Sequence, residues 1–327
     1  MTFFDLHCDT LWQIDNAKVK GEEIGLLTND LMVDLQKLIK GSVGVQCFAL
    51  FNIPQTQKPF NSAMRMVGYL ESACAQTEKL KIVKSYDNII TNLENGVISA
   101  VISMEDAFLL EGSLDNLYTL YDKGLRMICL SHNVANGVSH PNFGKYIEGS
   151  PDWVTRNSKD GLTDFGYQLV REMNRLGIVV DLSHMSDAGF YQAVKLSDKP
   201  VVCSHSNANT LCPSVRNLTD DMLYKLADNG GVTGVCFASG FLNVDKEKGK
   251  ATIKRSIEHI KYIKNLIGTE HIAIGSDFDG IPPEIDFKTC EYLPKLFDEL
   301  IKEGFSLSEI DKITYENALR VFRANLK

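Results

Sequence analysis

Short runs dominated by β-branched and aliphatic residues recur along the whole chain: "FFDLH" (3–7), "VGVQCFALF" (43–51), "VISAVISM" (97–104), "LRMICLS" (125–131), "GIVVDLS" (177–183), "PVVCS" (200–204), "GVTGVCF" (231–237) and "HIAIGSD" (271–277). Most are nearly continuous in apolar residues, the pattern of strands buried on both faces. Between them lie stretches with helical periodicity, such as "SLDNLYTLYDKG", "DFGYQLVREMNRLG", "TDDMLYKLADNG" and "ATIKRSIEHIKYIKNLIG". Several open on Ser, Thr or Asp and close on Gly, as capped helices do. Strands alternating with helices predict a parallel sheet covered on both sides, and eight such units predict an α/β fold of the closed (β/α)8 TIM type.

No low-complexity tract, charge block or Pro/Gly/Ser linker divides the chain, so residues 1–327 are expected to form one domain. The longest irregular stretch, 133–163, follows the fourth strand and is placed to act as a lid over the barrel mouth. The last segment, "SLSEIDKITYENALRVFRANLK" (306–327), begins like a capped helix and is expected to pack on the outside. No apolar run approaches the roughly 18 residues of a membrane span, so a soluble protein away from the membrane is expected. A net charge of −8 with scattered Lys and Arg argues against nucleic acid as a partner. The eight cysteines form no CxxC pair, and those at 47, 129, 203 and 236 lie in apolar runs, where reduced core residues are expected. The opening "MTFFDLHCDT" has none of the features of a secretory signal, which makes the cytoplasm the expected location.

In an α/β barrel the reactive groups stand at the C-terminal ends of the strands. Reading off those ends gives His7 and Asp9 after the first strand, Glu105 after the third and His132 after the fourth. His184 follows the fifth, His205 the sixth and Asp277 the eighth. Each has an ordinary alternative: an HxD pair by chance, a hydrogen-bonded structural histidine, or helix caps at Asp277 and Asp279. Their convergence on one face of one barrel favours a metal site. Imidazole and carboxylate are zinc ligands, and a two-oxygen carboxylate at Glu105 can serve two ions as in two-metal hydrolases. Side-chain alternation puts His7 and Asp9 toward the mouth and Cys8 away from it. Asp5 shares the parity of His7 but sits deeper, and Asp106 points differently from Glu105, so neither is included. His140, His259 and His271 are expected to be structural or superficial.

The motifs "DLHCDT", "SMED", "LSHN", "VDLSH", "SHSNANTLCPSVRN" and "GSDFDG" occur in the order and spacing of the membrane dipeptidase (renal dipeptidase) family, within the amidohydrolase-like hydrolases. The chain resembles that family from residue 5 to about residue 280. The resemblance implies two Zn²⁺ per chain, one held by His7, Asp9 and Glu105 and the other by Glu105, His184 and His205. It implies Asp277 as the proton-handling carboxylate, His132 as a substrate contact, with His132 or else a metal ion stabilising the oxyanion, and Arg216 as the group that binds the carboxylate of a dipeptide. The implied reaction is attack of a metal-bridging hydroxide on the peptide bond of a dipeptide, including one with a C-terminal D-residue. A homodimer is the assembly it suggests. Secretory and lipid-anchor signals of mammalian members are not seen here, and the segments 236–243 and 133–163, which would meet the substrate side chains, match no motif. The alternatives are a barrel metallohydrolase of a lactam, cyclic amide or phosphoester, and an inactive metal-binding protein.

Overall fold

Each of the eight apolar runs forms a strand: β1 Phe3–Cys8, β2 Val43–Leu50, β3 Ile98–Glu105, β4 Leu125–Cys129, β5 Val179–Asp181, β6 Val202–Cys203, β7 Val232–Val235 and β8 Ile272–Ile274. The computed structural model describes residues 1–327 except 54–55, 148–149, 245–252, 283–285 and 287. Every neighbouring pair is parallel, in the order β2-β1-β8-β7-β6-β5-β4-β3, and a β2–β3 pairing closes the ring. A short strand Leu80–Ile82 is added beside the start of β3. The result is the expected (β/α)8 barrel.

The helices form where the capping residues place them. Ser113, Thr163, Ser186 and Thr219 each accept a hydrogen bond from a first-turn amide, and Gly124 and Gly177 end two helices with φ of 116° and 81°. Left-handed backbone there suits a residue with no Cβ. The helix predicted from 251 runs Ile253–Ile267, its first two predicted residues lying outside the described ones. Among the described residues no helix is long and apolar enough to cross a membrane.

Two apolar layers result. The outer one joins strand residues such as Phe48, Ile102 and Val180 to helix residues such as Met66, Leu117 and Ile260. The inner one joins Phe4, Val45, Val101, Val179, Val202, Val232 and Ala273, mostly near strand starts, to Ala318, Val321 and Phe322 of the last helix. That last helix, Asn317–Asn325, therefore closes the N-terminal mouth of the barrel instead of packing on its outside. The reason is local: Ala318, Val321 and Phe322 make one apolar face, and Phe322 reaches Phe4 at 4.8 Å between ring centroids. With the floor sealed, the opposite mouth is left for chemistry.

Strict alternation fails in β1. Asp5 pairs with Gln46 and Cys8 with Phe48, so three steps on β1 match two on β2. This bulge explains how Phe3 and Cys8, five positions apart, both pack in the outer layer. It also separates Asp5 from His7, against the shared parity expected of them. Asp5 ties β1 to its neighbours, accepting hydrogen bonds from Ser276 N (2.8 Å), Ser276 Oγ (2.6 Å) and Gln46 Nε2 (3.1 Å).

Candidate metal and substrate site

The strand ends bring seven of the predicted residues into one buried group. His7 Nε2 lies 3.3 Å from Asp9 Oδ2, 3.7 Å from Glu105 Oε2 and 3.8 Å from Asp277 Oδ1. On the other side Glu105 Oε1 lies 3.0 Å from His184 Nε2, 3.5 Å from His205 Nε2 and 3.9 Å from His132 Nε2. The two oxygens of Glu105 thus face two different sets of nitrogens. His184 and Asp277 sit at φ of 67° and 65°, left-handed backbone that costs a non-glycine residue about 1 to 3 kcal/mol. The fold retains that strain at two of the converging residues.

Does this set fit metal ions? Nε2 of His184 and Nε2 of His205 are only 2.9 Å apart. The outer nitrogens are committed: His184 Nδ1 donates to Asn133 Oδ1 at 3.1 Å. His205 Nδ1 donates to Ser204 Oγ at 2.7 Å, and Ser204 in turn donates to Asp181 Oδ2 at 2.5 Å. Both inner nitrogens therefore carry lone pairs that face each other and Glu105, an arrangement that a cation satisfies. Asp9 Oδ1 is buried without a hydrogen-bond partner, a second acceptor with nothing to accept. The donor set of imidazoles and carboxylates suits zinc.

Electrostatics point the same way. Burial works against a charge on His7, yet Glu105 and Asp9 push it up to about 10. The carboxylates thus favour positive charge at that point. Burial raises the Glu105 carboxyl well above its ordinary range, with Asp9 adding to the effect. Burial likewise raises Asp277, His7 pulls it back and Asp9 raises it again. Burial, then the charge of Arg216, holds His132 down at about 3 and keeps His184 well below the usual histidine range; burial, then the charges of His7 and Arg216, does the same for His205. Neutral imidazoles are the form that binds a metal.

Above this group opens a cavity of about 530 Å³ lined by Asp9, Glu105, His132, His184, Arg216 and Asp277, with aromatic residues around them. Arg216 is only 2% exposed; its Nη2 donates to His205 O at 3.2 Å, while its Nε and Nη1 are buried with no partner. A buried guanidinium with spare donors is set up to take an anion. Trp153 from the 133–163 loop and Phe241 from the 236–243 segment line the same space, so both stretches that matched no motif reach the site.

Three supports escaped the sequence reading. Asn133 and the Ser204–Asp181 pair orient the two histidines and lie within the motifs "LSHN", "VDLSH" and "SHSNANTLCPSVRN", a signal that could have flagged them. Gly280 ends "GSDFDG": a Cβ there would overlap Asp9 Oδ2 and come within 2.7 Å of Asp277 Oδ1. Gly280→Ala is expected to lower metal affinity about 10- to 100-fold, the cost typical of disturbing a ligand's support, and competition with a chromogenic chelator would measure it.

The residues set aside play structural parts. Asp279 accepts from Thr10 Oγ1 at 2.6 Å and Met32 N at 2.7 Å, and Asp106 accepts from Phe108 N and Asn136 Nδ2. His140 and His271 bond to backbone oxygens, and buried His259 accepts from Ala208 N. Cys8 is buried with its Sγ toward Cys47 O at 3.4 Å, and Cys47, Cys129, Cys203 and Cys236 are buried free thiols.

The profile of the family described as membrane dipeptidase (peptidase family M19) matches residues 1–327. The chain is similar to an uncharacterized dipeptidase of Schizosaccharomyces pombe, 34% identical over 306 residues that cover 89% of this chain and 71% of that protein. It is similar to dipeptidase 3 of Mus musculus, 31% identical over 295 residues covering 89% of this chain and 57% of that one. Among solved structures it is similar to a metallo peptidase from Rhodobacter sphaeroides liganded with a phosphinate mimic of the dipeptide L-Ala-D-Ala. The TM-score is 0.88, with 25% identity and 99% of both chains covered.

Proposed function

Since the chain belongs to the membrane dipeptidase family and is a metallo-dipeptidase, we propose that it works with two zinc ions. One would be held by His7, Asp9 and Glu105, the other by Glu105, His184 and His205. Zinc there would supply Lewis acidity, polarising the scissile carbonyl and lowering the pKa of water to about 7.

The protein's own groups do the rest. Arg216 anchors the free carboxylate of the dipeptide through its unpartnered N–H donors, fixing which peptide bond reaches the metal group. Asp277 takes a proton from the attacking water and delivers it to the departing amine, so that water and peptide give a free acid and a free amine. Its Oδ2 accepts from Cys236 Sγ at 3.5 Å, while its Oδ1 is turned to His7. His132, held neutral, keeps one ring N–H to donate to the carbonyl oxygen as negative charge develops. Dipeptides with a C-terminal D-residue, L-Ala-D-Ala among them, are the substrates we assign. A cytoplasmic location fits the buried free thiols of Cys8, Cys47, Cys129, Cys203 and Cys236, and a homodimer is the assembly the family resemblance suggests.

The observation that carries this reading is the buried Arg216 with two unpartnered nitrogens beside the metal-binding group. It distinguishes a dipeptidase from a barrel hydrolase of substrates without a carboxylate. Amidating the C-terminus of L-Ala-D-Ala is expected to lower kcat/KM about 30-fold or more, as loss of a buried charged hydrogen bond does. Arg216→Met is expected to bring the free acid down to the level of the amide, chiefly through KM. Equal rates for acid and amide in the wild type would contradict the assignment.

A further inference from the structure

The cavity has two aromatic ends. At one, Trp153 packs on Phe241 with ring centroids 6.0 Å apart, and the Phe241 ring lies 5.2 Å from the Arg216 guanidinium. At the other, Trp12 meets Phe51 at 5.1 Å and Phe51 meets His132 at 4.7 Å, both edge-on. A line of contacts joins them: Arg216 to His205, His205 to His184, and His184 to His132. A dipeptide with its carboxylate on Arg216 and its carbonyl at the metal group directs its amino-terminal residue to the Phe51 end. Trp12, Phe51 and Ile53 line the cavity there, a wall that offers an apolar side chain apolar contacts.

Phe51 and Ile53 follow β2 in a loop, which fixes neither by itself. Between them stands Asn52, 7% exposed, with both ends of its amide engaged. Its Oδ1 accepts from Ile53 N at 2.8 Å and Thr56 Oγ1 at 2.6 Å, and its Nδ2 donates to Ser62 Oγ at 2.7 Å. Ser62 Oγ donates to Asp15 Oδ2 at 3.3 Å. Asp15 is itself fixed by Arg65 Nε at 2.9 Å, Arg65 Nη2 at 2.8 Å and Tyr69 OH at 3.1 Å. Asp15 belongs to the helix Thr10–Val19 that carries Trp12 one turn earlier, and Ser62, Arg65 and Tyr69 belong to the helix Pro59–Ala75. One buried polar relay therefore couples the helix that carries Trp12 to the loop that carries Phe51.

We infer that Asn52 is a positioning residue that, through Phe51 and Ile53, shapes the amino-end subsite to receive an apolar side chain. This rests on the dipeptidase reading with Arg216 as the carboxylate anchor. Removing the amide leaves Ile53 N, Thr56 Oγ1 and Ser62 Oγ without their common partner, so the loop that forms the wall is released. The wall touches the side chain of the amino-terminal residue and not the scissile bond. A subsite role therefore acts on side-chain preference, whereas a merely structural role acts on every substrate alike.

The test measures kcat and KM for Leu-D-Ala and Gly-D-Ala with zinc-loaded wild type, Asn52→Ala and Ser62→Ala, with metal content determined in parallel. Both variants are expected to raise KM for Leu-D-Ala, about tenfold in Asn52→Ala, on the scale of a hydrophobic-pocket contact. Gly-D-Ala, with no side chain to seat, is expected to change several-fold less, at unchanged metal content. Equal fold-changes for the two substrates, or none for either, would overturn the inference. Should Asn52→Ala fail to fold, Ser62→Ala decides by the same comparison. Wild type inert toward both dipeptides would overturn the dipeptidase reading and this inference with it.

Discussion

Glu105→Gln is expected to release most of the bound metal and to lower kcat/KM for L-Ala-D-Ala by on the order of 10⁴-fold, as when one member of a catalytic unit is removed. The substitution keeps the shape of the side chain and removes its charge. Glu105 Oε2 faces His7 at 3.7 Å and Oε1 faces His184 at 3.0 Å, so one residue serves both halves of the site. A glutamine presents an oxygen to one half and an NH₂ donor to the other, where a cation is to sit. Elemental analysis of the purified variant beside its rate constants checks both parts. Full metal content in the variant would show that Glu105 does not join the two sites.

Asp277→Asn separates proton transfer from metal binding. Turnover is expected to fall by about 10²- to 10⁴-fold, the usual range for general acid–base catalysis, at unchanged metal content. Asparagine tolerates the left-handed backbone at φ 65°, and the Asp277 N–H can keep its 3.2 Å bond to His7 O. The loop is thus preserved and only the base is lost. A variant with wild-type kcat would move the proton-handling role to another residue.

The barrel was readable because its strands are buried on both faces: short β-branched runs such as "VISAVISM", alternating eight times with helical segments, are what a parallel sheet covered by helices requires. The rule that chemistry stands at strand ends then located His7, Asp9, Glu105, His132, His184, His205 and Asp277. Arg216 was different. Nothing in its local pattern separates it from a surface arginine, and only the resemblance of "SHSNANTLCPSVRN" assigned it a role. Its burial beneath the cavity, with two unpartnered nitrogens, is a fact of packing.

Other features were illegible for definite physical reasons. Alternation assumes an unbroken strand, and the extra residue between Asp5 and Cys8 in β1 breaks it without a Gly or Pro to mark the place. The last helix looked like one of the outer ring because its apolar face does not say which surface it covers. The packing of Ala318, Val321 and Phe322 into the inner layer, with Phe322 on Phe4, assigns it to the floor. The aromatic ends of the cavity come from four distant segments: Trp12 stands on the helix Thr10–Val19, Phe241 on the short helix Ser239–Leu242, and Phe51 and Trp153 in loops, so no one periodicity foretells their juxtaposition.

The central claim is that a two-metal centre at the strand ends hydrolyses dipeptides. It is tested most directly by measuring bound metal per chain and the rate of L-Ala-D-Ala hydrolysis in one preparation, before chelation, after chelation and after adding Zn²⁺ back. The account predicts two zinc ions per chain, loss of activity in step with their removal, and recovery on reloading. Undiminished hydrolysis by protein shown to be free of metal would contradict it.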